Sequence, residues 1–218
     1  MHYHHFHSTL RYCPNVTFDD AKSMQSLYHL QTTGANWVAI VVTQYQHKHN
    51  STIIFPLYEP LVTPYYTYLT ATPQALATVI LQAHSMGLKV MLKPHVDITD
   101  DPEYWRGQIG LGFKPEQWEL WFASYRTMLL EYANLAQQLG VEMFSVSCEL
   151  IEASKQDAHW RRLIADVRKV YHGPLVSSAN WGWLNATGGE ETNKTVRYTQ
   201  FLWLLTYLQK LVSVVGCC

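Results

Sequence analysis

At 218 residues the chain is long enough to bury one sizeable core, and no Gly/Ser/Pro-rich linker divides it, so one domain is the starting expectation. Lys and Arg total 16 against 17 acids, the formal net charge is −1 and no basic run occurs, which argues against a nucleic-acid partner. Charged residues make up only 15% and aromatics 13%, with 8 Trp and 14 Tyr; that balance suits a carbohydrate or other neutral ligand, although large core side chains account for most of these rings.

The opening MHYHHFHSTLRYC has no charged-then-apolar leader, and His2, His4, His5 and His7 read as solvated side chains rather than metal ligands, since no carboxylate or cysteine sits among them. Cys13, Cys148, Cys217 and Cys218 have neither metal-ligand spacing nor the density of a disulfide scaffold. No metal and no other cofactor is expected. Asn-x-Ser/Thr sequons at Asn15, Asn50, Asn185 and Asn193 would suit a secreted glycoprotein, and such short patterns also arise by chance.

In chain order, Thr17 with Asp20 makes a capping-box-like start, and Met24, Leu27, Tyr28 and Gln31 mark a short helix that ends before Gly34. NWVAIVVTQY then reads as a buried strand, with the polar QHKHNST as its boundary. The proline- and tyrosine-rich FPLYEPLVTPYYTYLTA that follows is long for a plain connector, which suggests a functional loop. A second helix opens at Thr72-Pro73 and runs through Leu76, Val79, Ile80 and Ala83 to Gly87.

Strand LKVMLKPH comes directly after, with Lys93, His95 and Asp97 at its end; Lys93 and His95 share strand parity across Pro94 and could point one way. A loop salt bridge or a structural histidine accounts for them about as well as a ligand contact. The next loop, ITDDPEYWRGQIGLGFKP, offers Trp105 as a stacking face and Arg106 as a fork of donors. A long amphipathic helix runs from near Pro115 to Gly140, its Trp118, Trp121 and Phe122 reading as core. Val141, Met143, Phe144 and Val146 form a short buried strand with Glu149 just beyond it. Because loops after the carboxyl ends of parallel strands carry the functional groups, Glu149 is the foremost candidate for chemistry, weighed against an ordinary loop glutamate facing water. A helix from Asp157 to Gly173-Pro174 leads to PLVSSANW, a strand with Asn180 and Trp181 at its end.

This alternation predicts parallel strands near 37–43, 88–94, 141–147 and 174–179, side by side and each preceded by a helix. With strand ends carrying Lys93, His95, Asp97, Glu149, Asn180 and Trp181, it favours a (β/α)8-type barrel over a doubly wound sheet. No GxGxxG, GxxxxGK[ST] or GxSxG occurs, so neither a nucleotide-binding turn nor a serine-hydrolase elbow is present.

The phrases GANWVAIVVTQYQ, AHSMGLKVMLKPHVD, WRGQI, FSVSCEL and HWRRLIADVRKVYHGPLVSSANW together resemble the barrels of glycoside hydrolase family 113, over roughly residues 18–182 and in one consistent order. That family's characterised members are endo-β-1,4-mannanases of the retaining clan A type. The resemblance implies that Glu149 is the general acid/base after the fourth strand, that His95, Asp97 and Arg106 lie at the sugar-binding end, and that Asn180 and Trp181 help line it. The implied partner is a polysaccharide or oligosaccharide substrate.

Two departures stand out. Ser147-Cys148 replaces the small pair expected before the acid/base, and Cys148 reads as a buried small hydrophobe rather than a nucleophile. A retaining glycosidase also needs a second carboxylate about 5–5.5 Å from the first. In the family pattern it comes from the end of the seventh strand, whereas recognisable strands here reach only the fifth and start after the first. A barrel of this kind takes ~250 residues, so the expectation is an incomplete α/β barrel over 1–189, a partial (β/α)8 TIM barrel of about four to five βα units, with a divergent apolar tail over 190–218. The tail's run from Phe201 to Val215 contains Gln209 and Lys210 and falls short of the ~20 residues of a spanning helix, so it reads as a packed or poorly ordered amphipathic helix and not a membrane anchor. Open barrel edges are expected to favour self-association. The expected function is that of a glycoside hydrolase-like protein whose nucleophile these residues do not encode; a non-catalytic carbohydrate-binding or scaffold protein is the other reading.

Overall fold

The structure, a computed structural model, describes residues 17–63 and 66–178, together with the backbone of 211–214. In chain order the elements are α1 (Ala21–Thr32), β1 (Trp37–Gln46), β2 (Leu61–Val62), β3 (Thr67–Tyr68), α2 (Pro73–Ser85), β4 (Lys89–Ile98), α3 (Pro115–Gln138), β5 (Met143–Cys148), α4 (Ile151–Ser154), α5 (Asp157–Val170), β6 (Leu175–Ser178) and β7 (Leu211–Val214). Five strands form one sheet in the order β6-β5-β4-β1-β7, every neighbouring pair parallel. The four strands read from the sequence are therefore present, side by side, each preceded by a helix. β2 and β3 make a separate antiparallel pair inside the long tyrosine-rich loop.

Local chemistry accounts for the helix starts. Asp20, not Thr17, caps α1, its carboxylate accepting from the Lys22 N–H at 2.8 Å. Thr72 caps α2 through the Ala75 N–H, with Pro73 in the first turn where its missing N–H costs nothing.

The two faces of the sheet differ. Val38, Ile40 and Val42 of β1, Val90, Leu92 and Val96 of β4, and Phe144 and Val146 of β5 belong to the main core, with Leu76 and Ile80 of α2 and Trp121, Tyr125 and Leu129 of α3. Each such side chain contributes about 1.5–3 kcal/mol by leaving water. Trp118, Trp121 and Phe122 are core as expected, and two polar tips buried with this layer have partners: Trp121 Nε1–H donates to Gln46 Oε1 at 2.8 Å and Tyr125 Oη to the Val146 carbonyl at 2.9 Å. The opposite face holds a small apolar cluster of Ala39, Met91 and Met143, with Trp37 and Val176 against it.

β4 does not stop at Pro94 but continues to Ile98. The Lys89 N–H is bonded to the Asn36 carbonyl on the β1 side, so donors alternate and the nitrogen of Pro94 falls on the β5 side. There the ladder has already ended: β4 pairs with β5 only at Met91 with Met143 and Leu92 with Phe144. Pro94 has no N–H with which to extend that pairing toward β5. The Ile98 N–H, on that same side, turns to its own neighbour's Asp97 Oδ1 at 3.0 Å.

The tail differs from its expected helical form at Leu211–Val214, which pair in parallel with Trp37–Ile40. An apolar run of this length is ambiguous between helix and strand, and the free edge of β1 supplies the partner that decides it. Among the described residues no helix is long and apolar enough to cross a membrane.

Candidate active site

The extension of β4 puts His95 and Asp97 within the strand, on the face away from the helices, and buries them to 6% and 4% exposure. The loop after β4 then turns through residues 106–108 and brings Arg106 back onto them. Arg106 is 2% exposed; its Nη1 lies 2.8 Å from His95 Nδ1 and its Nη2 donates to Asp97 Oδ2 at 3.0 Å. A guanidinium has no acceptor, so His95 Nδ1 must accept, which places that ring's proton on Nε2. Burial works against the charge of Arg106, but Asp97, with lesser help from Glu149, outweighs it and holds the group above its ordinary pKa.

Glu149 sits immediately after β5. Its Oε2 is 3.6 Å from Arg106 Nη1, its side chain is 32% exposed, and its N–H extends the sheet by donating to the Ser178 carbonyl at 2.8 Å. Its φ is 57°, the one positive value outside glycine among the described residues. An L-residue in this left-handed region costs about 1–2 kcal/mol, and glycine would remove the cost. The end of a strand holds a charged residue in that conformation beside a buried cation.

The structure thus brings together four of the sequence-predicted residues, His95, Asp97, Arg106 and Glu149, with Arg106 touching the other three. The fork of donors expected of Arg106 is directed inward to protein acceptors. Trp105 adjoins them; its ring lies over Gly107, where a Cβ would come within 2.4 Å of it. Asn180 and Trp181, and the acids Glu190 and Glu191, lie outside the described residues. Cys148 is 2% exposed, and burial pushes its thiol up, so it stays neutral despite Lys93 nearby. Around Glu149 the inner face is lined with hydroxyls: Ser147 and Ser177 meet at 2.5 Å and Ser145 and Ser178 at 3.2 Å, across a register shift in the β5–β6 ladder.

Sequence reasoning missed the cleft beside this cluster. A cavity of about 480 Å³ is lined by Asp97, Ile98, Thr99, Asp101, Pro102, Tyr104, Trp105 and Arg106, closed from the other side by Thr63, Tyr66 and Tyr68 of the tyrosine-rich loop. Only the length of that loop hinted at it. Glu149 is not among its lining residues. Two histidine–aspartate pairs tie the loop after β1 to the loop after β4 at its rim: His47 Nδ1 to Asp100 Oδ2 at 2.7 Å and His49 Nδ1 to Asp101 Oδ2 at 2.5 Å, with His49 stacked on Tyr104 at 3.7 Å. The bond from His49 holds the Asp101 carboxyl below its usual range. Among the described residues no group of three or more His, Cys, Asp or Glu side chains is placed to hold a metal.

Compared with known proteins, the chain matches the family model for Glycoside Hydrolase Family 113 over residues 11–193. Among solved structures it is similar to a GH113 β-1,4-mannanase in a complex, at 28% identity and TM-score 0.67 over 78% of this chain and 53% of that one. It is also similar to the GH113 β-mannanase AaManA of Alicyclobacillus acidocaldarius, solved with ManMIm, at 26% identity and TM-score 0.68 over 94% of this chain and 67% of that one. A third GH113 β-1,4-mannanase, at 24% identity and TM-score 0.65, shares the fold. The chain spans about half to two thirds of the length of these structures. No curated protein matches.

Proposed function

The chain belongs to glycoside hydrolase family 113 and folds as part of a TIM-type barrel; from that premise we propose that Glu149 is the general acid/base of a retaining β-mannanase site that these 218 residues hold only in part. The observation that carries this reading is the left-handed backbone of Glu149 at the carboxyl end of β5, facing the buried Arg106. In the retaining reaction Glu149, as the acid, protonates the departing glycosidic oxygen while a second carboxylate attacks the anomeric carbon; the C–O bond breaks and a glycosyl ester forms. Glu149, now a carboxylate, takes a proton from water as that water attacks the same carbon and releases the ester. Arg106 keeps the glutamate oriented, and His95 and Asp97 keep Arg106 oriented. Trp105, Asn180 and Trp181 complete the substrate-binding set.

The second carboxylate is the missing part. Asp97, the other acid of the network, is buried and bound to Arg106, so it cannot also reach a sugar carbon as a nucleophile. The chain is therefore expected to release reducing ends from β-mannan no faster than its Glu149→Gln variant. Turnover that disappears in Glu149→Gln would overturn the inactive reading while supporting the residue's role, with Glu190 or Glu191 then supplying the nucleophile. The other reading, a carbohydrate-binding or scaffold protein, is separated by fusing the remaining barrel units of a solved relative after residue 178. The fusion is expected to hydrolyse mannan in a Glu149-dependent way; binding without turnover in a folded fusion would favour the scaffold.

A further inference from the structure

The turn after β1 holds one residue whose identity the fold does not explain. Residues 48–51 close a tight turn: the Ser51 N–H donates to the Lys48 carbonyl at 3.0 Å, and the Ser51 hydroxyl accepts from the Lys48 N–H at 3.0 Å. Gln46, buried beneath them, donates to the Lys48 and Ser51 carbonyls at 2.7 and 3.2 Å. His49 is held by Asp101 through its N–H and its ring, and its carbonyl accepts from the Gly110 N–H at 2.8 Å. Asn50 is exposed and, alone in this turn, makes no hydrogen bond from backbone or side chain among the described residues. Asparagine suits turns for two structural reasons, its tolerance of the left-handed backbone and a side chain that bonds nearby backbone. Neither operates here, since the φ of Asn50 is not positive and its carboxamide is unbonded. Asn134 shows the contrast: its carboxamide donates to the Leu130 carbonyl at 2.7 Å.

Two positions on stands Thr52, which completes Asn50-Ser51-Thr52, the acceptor pattern for N-linked glycans. The Ser51 hydroxyl is used in the turn, whereas that of Thr52 has no partner among the described residues. The two side chains that a glycosyl transferase must engage are thus the two that this turn leaves free. Ile53, next in the chain, is 70% exposed, an apolar surface that a sugar ring can cover. Of the four sequons, this is the one that lies within the described residues. We propose that Asn50 is an N-glycosylation site. The carboxamide nitrogen bonds to C1 of the first sugar of a lipid-pyrophosphate-linked oligosaccharide; the C1–O bond breaks, the lipid pyrophosphate departs and the nitrogen loses one proton. Because the turn follows β1, the glycan is carried at the carboxyl end of the sheet, where Glu149 also lies. It is a solubilising group beside Ile53 and takes no part in bond breaking, so the proposal stands whether or not the chain turns over mannan.

The test translates the full 218-residue chain behind a cleavable secretory leader with endoplasmic-reticulum microsomes, which supply the transferase and the lipid-linked sugar. Asn15, Asn185 and Asn193 are changed to Gln so that one acceptor remains. The expected result is a gel shift of one glycan, reversed by peptide-N-glycosidase and absent after Asn50→Gln. Thr52→Ala separates acceptor chemistry from folding: it keeps Asn50 and every hydrogen bond of the turn, so the chain melts as before while the shift is lost. Thr52→Ser restores it. The glycosylated protein is expected to melt cooperatively, at or above the temperature of its deglycosylated form, because the exposed turn has room for the sugar. No shift in single-acceptor chains protected inside the microsomes would overturn the site. So would a shift that survives Thr52→Ala, or a glycosylated form without a cooperative melt.

Discussion

Two glutamates bracket β5, and they behave oppositely. Glu142 precedes the strand; its Oε2 accepts from the Val90 N–H at 2.8 Å and lies 3.1 Å from His84 Nε2, so it completes the sheet where β4 begins. Glu149 follows the strand with a strained backbone and meets its cation only at 3.6 Å. One carboxylate is there because the fold needs an acceptor. The other imposes a backbone cost on the fold that the first does not.

The largest expected effect comes from cutting the connection at the Glu149 end. Arg106→Leu leaves Asp97 buried without its cation and should destabilise the protein by about 3–5 kcal/mol in urea unfolding. A loss below about 1 kcal/mol would break the comparison, because the carboxyl end would then not depend on that buried pair.

The two glutamates themselves should give opposite signs. Glu142→Ala leaves the Val90 N–H without its acceptor and should cost about 1–2 kcal/mol. Glu149→Gly relieves the left-handed strain against the extra chain entropy of glycine and should stabilise by roughly 0.5 kcal/mol. Equal losses in both variants would remove the distinction between them.

The smallest effect at ordinary pH sharpens the Glu142 end alone. Tyr171 Oη donates to the Val141 carbonyl beside Glu142, and burial, then the charge of Glu142, pushes its pKa up to about 12. A folded pKa above the unfolded value near 10 means that the contribution is complete below about pH 10 and fades as pH rises through about 12. Thermal melts across that window, with tyrosinate absorbance followed in parallel, should show the loss. Glu142→Gln should make it milder.

Much of this organisation was legible beforehand, for reasons that also explain the rest. The β-branched run at 37–43 and the short apolar run at 141–147 announce buried strands, and the shared parity of Lys93 and His95 places them on one face once a strand is assumed. Pro94 made β4 look shorter than it is, because the side of the strand that lacks a ladder is not visible in a sequence. Glu142 drew no reading from the sequence, since a carboxylate capping a neighbouring strand leaves no local pattern. His49 and Asp101 are 52 positions apart, and only the folded loops make them a pair. The strain on Glu149 was equally hidden; its place after a strand was not.

The short register between β4 and β5 has a mechanical meaning. Beyond Leu92 and Phe144 the two central strands have no paired register positions, so their outer halves are joined by fewer backbone bonds than the inner halves. What also joins them is the clasp of Arg106 on His95 and Asp97 at one jaw and on Glu149 at the other. The distance between the Glu149 carboxylate and the face of β4 then depends on that side-chain clasp as well as on the sheet. Amide exchange at the tips of β4 and β5 should therefore report on the state of that clasp long before the domain unfolds.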